Sequence, residues 1–467
     1  MGTKNNYGKR FRAELLIFTA FAAITVFVIW PLLIRAGSSV YGVPNDNIGA
    51  IWWLWWLKNY RSFSASVQTC PLIGYPFGAY FSPVPMEPIQ YSFYRFSLLF
   101  LNEAFVFNLD ILLSFLLSGI TMYYLVKHIT RDRKSAFFGG LAYLIAPYHA
   151  YQTMFVGGGI APVQWMPLYI LTLLKYCDKP NAKRALILGI SAVLVAGTSV
   201  HYALFTGLFT VFFLVGRYSY KYFKRRKYPD SKCKASASFL MSSKRSLLLS
   251  LLVVLIVVLF SAPFYTLGLL KSDKKGQWDI TTTPSQLRVE EHYVKNSAHP
   301  KDYILPTRRN LLWRLLSGAT SDVETLDIQK SLYLGLTLII LSGLSVAFAF
   351  RKEKQERATF EDSGLLTGDY RTEADFNGKL LFKANLFGFF VAGIASLLFS
   401  LKPYFYIGGA KILMPSYAFM IFVPWFRWYL RIGSVVQLCA VVLASVGLYL
   451  LLTSIKAKWK NFTLFGL

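Results

Sequence analysis

The stretch YGVPNDNIGAIWWLWWLKNY at 41–60 carries one carboxylate, Asp46, between an apolar run and a helix-forming segment with four tryptophans. A carboxylate at the head of a helix can accept hydrogen bonds from the first free amides as a cap, or it can do catalysis. The spacing leaves both open, and one group can serve both. Trp52, Trp53, Trp55 and Trp56 leave almost no polar face, so this helix belongs in a membrane interface or against other helices, because indole rings favour the headgroup level. Metal chemistry finds little support elsewhere: Glu290-Glu291-His292 has ligand types without ligand spacing, and the chain has no H-E-x-x-H. The four cysteines, Cys70, Cys177, Cys233 and Cys439, are far apart and form neither a disulfide framework nor a zinc pattern.

The elements that position these residues follow from composition. With 467 residues, 55% hydrophobic, 17% aromatic and 16% charged, the chain has too little polar surface for a soluble globule. The fold expected is all-α and polytopic in a membrane. The formal charge of +27 does not indicate a nucleic-acid partner, because the Lys and Arg residues fall in short runs between apolar spans. Spans are expected near 13–34, 108–127, 135–151, 158–175, 185–202, 203–217, 247–270, 331–350, 384–401 and 432–455, about ten crossings of the roughly 20 residues each needs. The first is too long for a signal-peptide core and reads as a retained helix.

Loop charge orients this arrangement. KHITRDRK (127–134), KYCDKPNAKR (175–184), RYSYKYFKRRKYPDSKCK (217–234) and KAKWK (456–460) are basic, whereas 36–107 carries only Lys58, Arg61 and Arg95. By the positive-inside pattern both termini and 217–246 are cytoplasmic, and 36–107, 271–330 and 402–431 face outward from a single domain over 1–467; 351–383 falls inside by the count of spans, its seven basic and seven acidic residues neither supporting nor opposing it. The basic run Lys221–Lys227 reads as an orientation anchor or as a contact for anionic lipid headgroups. The middles of the spans are nearly free of charge, with Asp110 and Glu14 at span edges, which favours surface chemistry over a midplane transporter site.

The run PNDNIGAIWWLWWLKN followed by YPFGAYFSPVPMEP resembles the first external loop of GT-C class integral-membrane glycosyltransferases, in particular the bacterial YfhO-like and dolichyl-phosphate-mannose-mannosyltransferase-like proteins. FNLDILLSFLLSGITMYYLVKHIT, AFFGGLAYLIAPYHAYQ, PVQWMPLYILTLLKY, GTSVHYALF, VKNSAHPKDYILPTRRNLLW, SLYLGLTLIILSG and VPWFRWYLRIGSVVQL continue the likeness through loose patterns over almost the whole chain.

The resemblance implies a polyprenyl-phosphate-linked sugar donor, taken from the bilayer at the outer face of a bacterial cytoplasmic membrane, and a glycan, lipid or protein acceptor. Asp46 matches the family's first-loop general base, which would take the proton of an acceptor hydroxyl as the bond to the anomeric carbon forms in an inverting displacement. Many members carry a second acidic residue beside it; here the neighbours are Asn45 and Asn47, which weighs against a divalent metal and leaves base catalysis intact. The departing lipid phosphate calls for fixed cations. Arg427 and Arg431, at i and i+4 among Trp425, Trp428 and Tyr429, are the first candidates, with Lys402, Arg95 and Arg308-Arg309 behind them. The alternative for the arginines is snorkelling beside an aromatic belt. Trp52, Trp53, Glu87, His149 and His201 are the substrate-binding candidates, and each histidine also reads as a hydrogen-bonded structural residue. Glu87, Glu103 and Asp110 are the other carboxylates able to act as base. A flippase or transporter without transferase activity is the rival reading, and an assembly protein the third.

Overall fold

A computed structural model describes residues 2–30, 32–59, 69–73, 75–76, 78–80, 87–157, 161–227, 293–306, 331–350, 373–423, 426 and 428–465. The span expected at 247–270, and most of 271–330 and 351–383, lie outside them. The chain is a predominantly helical, multi-pass membrane protein. Five helical segments among the described residues are long and apolar enough to cross a bilayer: Phe11–Ile29, Glu103–Thr130, Val200–Lys224, Gly378–Ser400 and Tyr429–Ile455.

Ten are expected: of the other five, 247–270 lies outside the described residues, and where the remaining four are described their helices are too short. The expected span at 135–151 is two short helices, because Pro147 has no amide hydrogen and biases the residue before it out of helical geometry. The one at 158–175 is helical only from Trp165, and the boundary expected between 202 and 203 falls at Ser199, whose backbone is extended. The 17-residue helix Ala182–Thr198 rises about 25 Å and the 14-residue Trp165–Asp178 about 21 Å, against a hydrocarbon layer of roughly 30 Å.

The described residues group into two compact units, Met1–Thr121 with His149–Leu204 and Ser246–Lys295, and Met122–Tyr148 with Phe205–Arg245 and Asn296–Leu467. The first unit begins with α1 (Gly2–Ile29), a 3-10 turn at Leu32–Arg35, α2 (Asp46–Asn59) and a two-residue hairpin, β1 (Thr69–Cys70) with β2 (Ala79–Tyr80). It continues with α3 (Pro88–Ser97), the first part of α4 (Glu103–Thr130), most of α6 (Pro147–Phe155, following α5 at Arg133–Leu144), α7 (Trp165–Asp178), α8 (Ala182–Thr198) and the start of α9 (Val200–Lys227). α7 and α8 pack together through a buried Thr172–Ser191 hydroxyl pair at 2.7 Å. α3 lies against α8 where Gly197 leaves room for Ile89.

The second unit contains α5, the rest of α9, α10 (Pro300–Ile304), α11 (Leu336–Phe350), α12 (Glu373–Ser400), β3 (Tyr404–Ile407), β4 (Ala410–Leu413), α13 (Ser416–Phe422) and α14 (Gly433–Phe465), which a 3-10 turn at Tyr429–Ile432 precedes. α14 is its centre: α11, α12 and α5 all pack on it, and small residues set the approach. A Cβ on Gly447 would fall 1.9 Å from the Leu341 carbonyl oxygen. α9 also departs from expectation by running on through Lys227, so the basic stretch 221–227 is helical and Arg217 is fully buried, bonded to Asn385 of α12. The two antiparallel hairpins are a further departure from an all-α chain. The second turns on Gly408-Gly409, both with positive φ, the two-glycine turn that matches strand twist.

Candidate functional site

The corner at 41–47 is built by residues other than its carboxylate. Asn47, buried, donates from Nδ2 to the Tyr41 carbonyl at 2.9 Å and to the Met154 carbonyl, near the end of α6, at 3.1 Å. The Val43 amide donates to the same Met154 oxygen at 3.0 Å. Gly42 is required there: its φ is +100°, and a Cβ would stand 2.1 Å from that oxygen. Asn108 of α4 fixes the segment leading in, accepting from the Tyr41 amide at 3.0 Å and donating to the Ala36 and Ser39 carbonyls at 2.7 Å each.

Asp46 is thereby placed at the first residue of α2 with its side chain exposed. Among the described residues its carboxylate accepts no hydrogen bond, so it does not cap the helix by side-chain bonding, although a negative charge still suits that end of the helix dipole. Trp53 lies seven residues on and Leu57 four beyond that, which puts Asp46, Trp53 and Leu57 on one face. Trp52 and Trp53 are half-buried; Trp52 stacks on the fully buried Trp56 with ring centroids 5.8 Å apart.

At the far end of α2 a groove of about 330 Å³ opens against α3, lined by Leu57, Lys58, Tyr91, Arg95, Phe96 and Leu99 among others. Its walls are apolar and its two charged lining groups are cations. Arg95 is half-buried and donates to the Leu57 carbonyl at 2.6 Å, which fixes the guanidinium at the groove. Lys58 stands 3.4 Å from Glu103, a pair open enough to water to contribute no more than about 1 kcal/mol. Glu103, a candidate base in the sequence, is therefore engaged as an ion-pair partner.

The other face of α3 holds carboxylates. Asp110 of α4, buried, accepts at Oδ2 from Gln90 Nε2 (2.9 Å) and from the Tyr94 hydroxyl (2.8 Å). Glu87, half-buried at the head of α3, accepts the Val200 amide at 3.3 Å. Desolvation pushes the Glu87 carboxyl up to about 7; the Val200 bond opposes this and the nearby Asp110 charge adds to it.

His149 is buried, its ring 4.4 Å from that of Phe115 and its Nε2 2.8 Å from Ser114 Oγ. The serine hydroxyl's single hydrogen goes to the Ala161 carbonyl at 2.7 Å, which can only accept, so His149 carries its proton on Nε2 and donates to the serine. Arg431 and Lys402 belong to the second unit: Arg431 is buried with its guanidinium 4.6 Å over the Trp428 ring rather than snorkelling, and Lys402 is half-buried. Arg427 lies outside the described residues, as do Arg308-Arg309 and Glu290-Glu291-His292. Among the described residues no group of three or more His, Cys, Asp or Glu is placed to hold a metal ion.

Asn47, Asn108, Gln90 and Tyr94 were missed by the sequence reading. Asn108 carried a signal, since FNLDILL sets an amide and a carboxylate two residues apart in an apolar helix, where unpaired polar groups are costly. Comparison with models of known protein families gives no match, and comparison with curated proteins gives none either.

Proposed function

We propose that the chain is a GT-C-type glycosyltransferase that moves a sugar from a polyprenyl-phosphate carrier to an acceptor hydroxyl at the extracytoplasmic face of a bacterial cytoplasmic membrane. The observation that carries this reading is the alignment along α2 of an uncommitted carboxylate, an aromatic platform and an apolar groove with two cations. Asp46 and Lys58 lie about 18 Å apart along α2, so no one phosphate touches both. The groove suits the carrier end of a donor, its isoprenoid chain against Tyr91, Phe96 and Leu99, while the sugar and its phosphate-bonded anomeric carbon lie toward Trp53 and Asp46.

In this reading Asp46 takes the proton of the acceptor hydroxyl while that oxygen bonds to the anomeric carbon. The carbon–oxygen bond to the phosphate breaks, and the phosphate leaves with the bond's electron pair. Glu87 favours a second assignment of the base, since a carboxyl titrating near 7 matches neutral conditions better than an ordinary one.

The test is transfer of radiolabelled sugar from a panel of polyprenyl-phosphate sugars in membranes, comparing wild type, Asp46→Asn, Glu87→Gln and Arg95→Gln at equal folded protein. Loss with Asp46→Asn and retention with Glu87→Gln supports the first assignment, and the reverse pattern supports the second. Absence of transfer with every donor, together with protein-dependent lipid scrambling in vesicles, replaces the transferase reading with a flippase.

A further inference from the structure

The segment 401–428 joins α12 to the turn before α14, the last two of the five long apolar helices. Of its 28 residues nine are aromatic and three are basic, and none is acidic. Such a composition does not describe a solvated loop, where carboxylates and small polar residues are the rule. Its inner side is anchored by aromatic packing: Phe419 meets Phe399 of α12 at 5.0 Å, and Phe426 meets Phe205 of α9 at 5.4 Å and Tyr429 at 5.7 Å.

Among the described residues the outer side is uncovered. The register Tyr404↔Leu413, Phe405↔Ile412 and Tyr406↔Lys411 puts Phe405, Ala410 and Ile412 on one face of the hairpin, and Tyr404, Tyr406, Lys411 and Leu413 on the other. Lys411 Nζ sits 3.9 Å over the Tyr404 ring, the paired cation and phenol of an interfacial surface. Tyr406 is 66% exposed, Leu413 55% and Phe422, at the end of α13, 80%. A two-stranded hairpin is marginal in water on its own. β3 begins four residues after the end of α12, so the hairpin stands where the chain leaves the bilayer.

We propose that 401–423 is a membrane-interface module: the hairpin and α13 lie in the headgroup layer, with Leu413 and Phe422 in the acyl boundary and Lys411, on the same hairpin face as Leu413, on anionic lipid phosphates. Tyrosine and tryptophan rings at this depth keep their polar edges wet while the ring bodies are buried, and each basic residue near an anionic surface adds roughly 1 kcal/mol of attraction. This inference rests on α12 and α14 crossing the membrane, not on the sugar-transfer reading.

The test uses the full chain in vesicles of phosphatidylethanolamine and phosphatidylglycerol. With the four native cysteines replaced by alanine, single nitroxide labels are placed at Leu413→Cys, Phe422→Cys and, as a lipid reference, Phe27→Cys of α1, itself 81% exposed. Collision with oxygen should exceed collision with a water-soluble nickel chelate at 413 and 422, as at 27. A nickel-dominated signal at both positions places the module in water and overturns the proposal. Protection from both reagents, with spin–spin broadening that disappears on dilution with unlabelled protein, assigns the surface to a second copy of the chain and also overturns it. A diazirine phospholipid cross-linked to unsubstituted protein gives the independent readout: adducts within 401–423 support the module, and adducts on α1 without any in 401–423 refute it.

Discussion

Asp46 and Asn47 are adjacent and do opposite things. Asp46 is exposed and accepts no hydrogen bond among the described residues, so Asp46→Asn is expected to fold normally and to lose sugar transfer by about 10²–10⁴-fold, the usual contribution of a positioned base. Asn47 is buried and ties α2 to the Tyr41 and Met154 carbonyls, so Asn47→Ala should cost about 1–3 kcal/mol, read as a lower unfolding temperature in detergent. Glu87 gives a pH signature. Its folded carboxyl holds a proton up to about 7 against an ordinary value of 4.5, so the folded state binds more protons than the unfolded one between these limits. Stability should therefore fall as pH rises from about 4.5 to about 7 and then level off, and Glu87→Gln should remove that fall in thermal unfolding at pH 5 and pH 8. Asp46 was legible because a lone carboxylate before four tryptophans stands out in the sequence. The division of labour was not, since it depends on a carbonyl at residue 154 that no local pattern connects to residue 47.

Helix approach in the second unit depends on positions without side chains. Gly447→Ala should push α14 away from α11 and destabilise by about 1–3 kcal/mol, because the new methyl would meet backbone at Leu341 and cannot be relieved by a rotamer change. Gly343→Ala in the middle of α11 is the control: nothing lies within 4 Å of the added carbon, and helix propensity favours alanine by up to about 1 kcal/mol. Thermal unfolding of the two variants side by side separates packing from propensity. Hydropathy located these helices well, because apolar content is a local property. It failed on their lengths, since Pro147 and the extended Ser199 interrupt runs whose composition continues unbroken. It also took Arg217 for a loop residue, although Asn385 gives it a buried partner from a distant part of the chain. The Gly408-Gly409 turn between YFYI and AKIL was a readable hairpin signal, masked by the expectation that a membrane chain is helical throughout.

Across the whole chain, the distribution of Lys and Arg predicts that both termini and the basic end of α9 face the cytoplasm. Alkaline phosphatase inserted within 60–68 should be active and a green fluorescent protein fused after Leu467 should fluoresce, since each reporter works on only one side of a bacterial cytoplasmic membrane; the opposite pair of results would invert the orientation. The carbonyl of Met154 has a mechanical consequence. It receives both the Val43 amide and the Asn47 side chain, and Gly42 is packed onto it, so the residues leading into α2 are latched to the last turn of α6. A small rotation of that turn must either carry the head of α2 with it or break two bonds together, so the two segments respond as one lever. Deuterium uptake at residues 43–47 should therefore rise and fall in step with uptake at the end of α6.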